Sequence, residues 1–163
     1  MKTFPAFLFI SFFIGLSCVC VPAQSDDKAV IDKYIAGQAK RERGEEPDDI
    51  RKTIEGDINH DGVSDVAVLY TIEGQGGSNN YIQYLAVFLR RSEKLVFAAR
   101  QEVGGKNHRA IEITSIKDNA MLFDTTAYGP RDPSCCPTIK GHTKYVLVGN
   151  KLIEKRGKSV SGQ

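Results

Sequence analysis

Apolar and polar positions change pattern twice along this chain. From Phe4 to Val21 the residues are almost continuously apolar, interrupted only by Pro5, Ser11, Gly15 and Ser17. Val30, Ile31, Tyr34 and Ile35 then recur at helical spacing, with Lys28, Lys33 and Lys40 elsewhere on the wheel. That spacing predicts an amphipathic helix over about 26–43, ending at Gly44, with Ser25, Asp26 and Asp27 suited to its first turn. Beyond the polar connector 45–49 the pattern shortens to apolar or alternating runs separated by turn residues. These predict strands over 50–55, 65–72, 81–90, 95–103, 108–116, 120–128, 143–148 and 151–155. Val66 to Ile72 is apolar and rich in β-branched residues, so it reads as a buried strand. The run 108–116 places Ala110, Ile111, Ile113 and Ile116 in imperfect alternation. Short strands joined by tight turns predict an antiparallel β-meander. One helix packed on its face makes an α+β domain, with a curved sheet or half-barrel. Residues 157–163 are expected to fray.

The first apolar run follows Lys2 and ends at Val21-Pro22-Ala23, small residues at the spacing of a signal-peptidase site. Residues 1–23 are therefore expected to be a cleaved signal peptide, and 24–163 a single α+β domain. A retained span is the weaker reading, because the run is short for one. Lipidation at Cys18 or Cys20 is disfavoured, since Gly15 and Ser17 stand where a branched aliphatic is wanted. Export implies a periplasmic or extracellular location, with an oxidising environment and no stable membrane anchor after cleavage. The formal net charge of +2 on 163 residues gives no argument for nucleic acid or an anionic membrane as a partner.

Between the first two predicted strands lies Asp57-Ile58-Asn59-His60-Asp61-Gly62-Val63-Ser64-Asp65. Side-chain oxygens alternate along it, and Gly62 stands where the chain must turn sharply. Ca²⁺ takes six to eight hard oxygen ligands, backbone carbonyls among them. The expected set is Asp57, Asn59, Asp61, the carbonyl of Val63, and Asp65, with Glu73 or Asp124 as possible additions from outside the loop. The first half matches the D-x-[DN]-x-[DN]-G start of an EF-hand loop. The second half departs from it: Val68 stands where the bidentate Glu belongs, and a strand follows instead of a helix. The loop resembles the Asp-rich calcium loops of FG-GAP repeats over 57–69. That resemblance implies a calcium hairpin; with one copy in the chain, it does not imply a propeller.

Two further stretches stand out. Gly74–Asn80 is rich in Gly and Asn and is flanked by Tyr81 and Tyr84. It lacks the Gly-Lys-Ser/Thr of a phosphate loop. Pro130–Pro137 contains three prolines and the adjacent Cys135 and Cys136. If the signal is cleaved, these are the two remaining cysteines. A vicinal disulfide, free thiols and interchain bridging all stay open. Zinc held by these cysteines with His108 or His142 is the weakest alternative, since structural zinc uses spaced cysteine pairs. Segments 73–88, 103–109 and 128–137 together resemble a group of small exported bacterial proteins of uncharacterised function, which implies export and one domain but no activity.

No G-x-S-x-G or H-E-x-x-H motif occurs. Three function classes follow as expectations. The first is an exported domain of binding or structural type with a structural calcium site. The second is a periplasmic inhibitor or recognition protein presenting loops 74–80 and 130–137 to a protein partner. The third is a thiol–disulfide protein using Cys135 and Cys136.

Overall fold

The structure, a computed structural model, describes residues 24–156. The expected signal peptide and the expected frayed tail both lie outside the described residues. One helix, α1 (Gln24–Glu42), precedes eight antiparallel strands in chain order: β1 (Lys52–Gly56), β2 (Asp65–Glu73), β3 (Tyr81–Arg91), β4 (Lys94–Gly105), β5 (Arg109–Lys117), β6 (Ala120–Ala127), β7 (Ile139–Val148) and β8 (Lys151–Arg156). The fold is the α+β meander with a curved sheet that the pattern predicts, and the sheet is not closed.

Curvature divides the sheet into two layers. Strands β3 and β4 pair from Ile82–Gly105 to Arg91–Lys94. Strands β4 and β5 pair only at Gly105 and Arg109. The chain thus turns over at this junction, and β5–β8 cover the face of β1–β4 that α1 leaves free. The parity of side chains records this arrangement. Val66, Val68, Tyr70 and Ile72 of β2, with Tyr84, Ala86 and Phe88 of β3, pack against Ile31, Ile35 and Ala39 of α1. The alternate residues Ala67, Leu69, Leu85, Val87 and Leu89 pack instead against Ile111, Ile113, Met121, Phe123, Tyr145 and Leu152. Strands β2 and β3 are buried on both faces, which is why their sequences are continuously apolar rather than alternating.

Polar anchors set the position of α1. Asp27 pairs with Arg90 at 2.7 Å and Glu42 with Arg100 at 2.7 Å. Glu42 also accepts the Tyr84 hydroxyl at 2.8 Å, and the Arg100 guanidinium lies over the Tyr84 ring at 4.4 Å. Between these anchors Ile35 is fully buried. Truncating such a side chain to alanine costs roughly 2–5 kcal/mol.

Two strands differ from expectation. β5 carries a bulge between Ile113 and Ser115. The extra residue lets Ile111, Ile113 and Ile116 all join the core, which explains the imperfect alternation. β7 begins at Ile139, four residues earlier than 143. Its first half, residues 139–143, places no side chain in the apolar core, so it lacks the apolar run that marks a strand.

Candidate functional site

The loop 57–65 is folded on its own side chains. Asp57 Oδ1 accepts the amides of His60 at 2.7 Å and Asp61 at 3.2 Å, and its Oδ2 accepts that of Gly62 at 3.0 Å. Asn59 Oδ1 accepts the Asp61 amide at 3.0 Å, and Asp61 Oδ1 accepts the Val63 amide at 2.8 Å. Gly62 has φ 81° and His60 has φ 71°. Glycine holds that conformation without Cβ strain, and histidine is among the side chains found there more often. Asn59, His60, Asp61, Gly62 and Val63 are exposed, while Ile58 is buried and roots the loop in the core.

The expected ligands fall into two groups. Asp57, Asn59 and Asp61 occupy the tip. There the Asn59 amide donates to Asp61 Oδ2 at 2.7 Å. That bond, followed by the Val63 amide, holds the Asp61 carboxyl below its ordinary range. Asp65 is fully buried. Its Oδ2 accepts the Ile58 amide at 3.1 Å and its Oδ1 the Arg90 amide at 2.9 Å. Asp65 thus ties the loop entrance to the end of β3. The loop's other tie runs to the β5–β6 turn, where Asn119 Nδ2 donates to the Asp57 carbonyl at 2.9 Å.

The oxygen donors suit a hard cation in kind. The three carboxylates Asp57, Asp61 and Asp65 are not grouped together, for no set of three or more His, Cys, Asp or Glu side chains forms a metal-holding group among the described residues. The two donors considered from outside the loop do not serve. Glu73 is the last residue of β2 and Asp65 the first, so about 26 Å of extended strand separates them. Asp124 is exposed in mid-β6 and bonded to His142 Nδ1 at 2.8 Å. That bond also gives His142 a partner other than a cysteine.

The other singled-out stretches lie at the opposite end. In an antiparallel meander alternate turns share an end, so the β2–β3, β4–β5 and β6–β7 connections lie together, away from loop 57–65. Gly74–Asn80 contains a short 3₁₀ turn over Gln75–Gly77. Lys106 of the β4–β5 turn donates to Asn79 Oδ1 at 2.8 Å. In the β6–β7 connection Asp132 Oδ2 accepts the amides of Gly129 at 2.7 Å and Thr138 at 2.8 Å, and its Oδ1 accepts the Thr138 hydroxyl at 2.9 Å. These bonds, the Gly129 amide foremost, lower the Asp132 pKa. Tyr128 donates to the Ser134 carbonyl at 2.8 Å. Cys135 and Cys136 are exposed, with their sulfurs paired as a vicinal disulfide.

One partly buried polar cluster had no sequence signal, because its members come from four separate strands. Arg109 donates to the Val103 carbonyl, Glu154 and the Tyr145 hydroxyl, each at 2.7 Å. It joins β4, β5, β7 and β8 beside a cleft of about 280 Å³. Among the described residues no helix is long and apolar enough to cross a membrane. No protein-family model, curated protein or solved structure matches the chain.

Proposed function

We propose that this chain is an exported domain of binding or structural type whose loop 57–65 takes Ca²⁺. One observation carries the reading: five amide bonds from residues 60–63 gather the oxygens of Asp57, Asn59 and Asp61 around a single tight bend. Ordering a loop is a large part of what a flexible site spends on binding, and here that ordering precedes the ion. The ion would displace the Asn59 amide from Asp61 and draw on the Val63 carbonyl. Asp65 would contribute only by sharing oxygens that already serve two amides. With no bidentate Glu, the affinity is weak, on the order of 10⁻⁴–10⁻³ M, as in extracellular modules. Export rests on Lys2, the apolar run and Val21-Pro22-Ala23.

Calorimetry with millimolar Ca²⁺, together with amide NMR shifts at Asp61, Gly62 and Val63, tests the reading. Wild type is expected to give heat and shifts, and Asp61→Ala neither. Absence of both in the wild type ends the calcium assignment.

A second reading concerns the other end of the sheet. Loops 74–80 and 130–137 share it, and each is braced: the first by Lys106, the second by Asp132. Braced polar loops suit recognition of a protein partner. Capture of a partner by wild type but not by a chain lacking 76–78, with an unchanged melting temperature, would support it.

A further inference from the structure

The outer face of β7 and β8 is basic, and its lysines are arranged against their own repulsion. Tyr145, Leu147 and Leu152 point to the core. Their neighbours of opposite parity, Lys144, Val146 and Val148 on β7 and Lys151, Ile153 and Lys155 on β8, therefore point away from it. Lys144 and Lys155 are direct cross-strand partners, as are Val146 and Ile153. Lys140 and His142 extend the same face along β7. Like charges directly opposite one another destabilise a sheet. Among the described residues none of Lys140, Lys144, Lys151 and Lys155 has an ion-pair partner.

Protection of an exposed edge accounts for part of this pattern, because lysines on the last strand discourage pairing with another chain. It accounts for Lys151 and Lys155 of β8. It does not account for Lys144, which lies on the inner neighbour β7 and sits opposite one of them. Nor does it account for the apolar residues between the charges: Val148 is 59% exposed and Ile153 37% exposed. Outward acidic residues are absent from β7 and β8, since Glu154 faces Arg109. On the adjoining strand β6, Asp124 stands opposite His142 and is bonded to it.

From this juxtaposition we infer that the outer face of β7–β8 docks on an anionic lipid bilayer, with Lys140, Lys144, Lys151 and Lys155 meeting the headgroups and Val148 and Ile153 seated between them. Charge complementarity selects an anionic surface. The aliphatic side chains between the lysines select a bilayer over a purely polar polyanion, because only the bilayer offers apolar volume beneath its charges. The net charge of +2 is a sum over the whole chain and is silent on the grouping of Lys140, Lys144, Lys151 and Lys155 on one face. Attachment of this kind is peripheral and reversible, and each lysine near the surface contributes roughly fivefold in affinity.

Co-sedimentation with phosphatidylcholine vesicles, and with vesicles of phosphatidylcholine and phosphatidylglycerol, tests the inference. Wild type is expected to bind the second kind more strongly, with binding that weakens as salt rises. The variant Lys144→Gln/Lys155→Gln should lose on the order of 25-fold. The variant Lys33→Gln/Lys40→Gln, which makes the same charge change on α1, should bind like wild type. Equal losses in the two variants would mean that overall charge alone drives binding, and would overturn the inference. So would equal binding to both kinds of vesicle, or retention on polyglutamate beads without retention on either vesicle. Matching melting temperatures for the two variants exclude unfolding as the cause of a loss.

Discussion

Gln83 bonds to the main chain of Ile111 through both ends of its carboxamide. Its Nε2 donates to the Ile111 carbonyl at 3.2 Å, and its Oε1 accepts the Ile111 amide at 3.1 Å. A side chain of β3 thereby takes the place of a neighbouring strand where β4 and β5 have parted. Gly104 lies beneath this crossing. A Cβ there would stand 2.7 Å from the Arg109 carbonyl and 2.8 Å from Gln83 Oε1. Glycine is thus required by close approach rather than by its φ.

Gln83→Leu should leave both Ile111 groups without a protein partner and destabilise the domain by about 1–3 kcal/mol. Gly104→Ala should also destabilise it, because the Arg109 contact is backbone and cannot swing aside. Combining Gly104→Ala with Gln83→Ala should cost less than the sum of the single changes, since one of the two clashes is removed. Urea denaturation reads these three and Gln83→Ala alone, which completes the sum. A fully additive double variant would mean that the two residues do not share this contact.

The same junction marks where the sequence stops being legible. Strands β2 and β3 could be read because burial on both faces writes a continuous apolar run. The helix could be read because Ile31 and Ile35 recur at its period. That β5–β8 fold back over β1–β4 could not be read. The turnover depends on Gln83, Gly104 and Ile111, whose pairing spans 28 residues and leaves no periodic trace. The candidate loop was legible in its residue types, because oxygen spacing is local. It was not legible that Asp65 lies buried on two amides, since one of its partners, Arg90, is 25 residues away.

Asp65 and Asp61 should therefore behave as different kinds of residue in the absence of any cation. Asp65→Ala orphans the Ile58 amide and removes the acceptor at Arg90, in a fully buried setting. Charge-assisted bonds of this kind are worth about 1.5–3 kcal/mol each, so the domain should lose several kcal/mol. Asp61→Ala removes an exposed acceptor and should cost far less than Asp65→Ala. Thermal and urea unfolding in EDTA would distinguish them, and equal losses would contradict the brace assigned to Asp65.

Alkaline pH should weaken the fold through its buried phenols. Burial pushes the Tyr145 hydroxyl up to about 12, and it raises Tyr70 and Tyr84 as well. A phenol in the unfolded chain ionises near 10. The folded value lies above the unfolded one, so the contribution is fully present below about pH 10 and is lost as pH rises toward about 12. Denaturation midpoints should fall across that window. Tyr145→Phe should make the fall shallower, at the cost of the Arg109 bond. A midpoint independent of pH across the window would show that these hydroxyls reach solvent.

Asn59 gives the sharpest test of the calcium proposal, because its two side-chain atoms do different work. Its Oδ1 accepts the Asp61 amide and so favours the closed loop, whereas its Nδ2 occupies Asp61 Oδ2, an oxygen that a cation would use. Asn59→Asp keeps the first bond and abolishes the second, adding a carboxylate beside Asp61 to that of Asp57. Without a cation the charges repel, and the variant should melt slightly below wild type. With millimolar Ca²⁺ the added charge and the freed oxygen should both strengthen binding, raising affinity about tenfold or more. Stabilisation by a bound ligand grows with its concentration relative to Kd, so the rise in melting temperature with Ca²⁺ should be larger for the variant than for wild type. Sodium chloride at matched ionic strength controls for screening of the repulsion. An identical response of the two proteins to Ca²⁺ would mean that the loop's oxygens serve its own backbone and no ion.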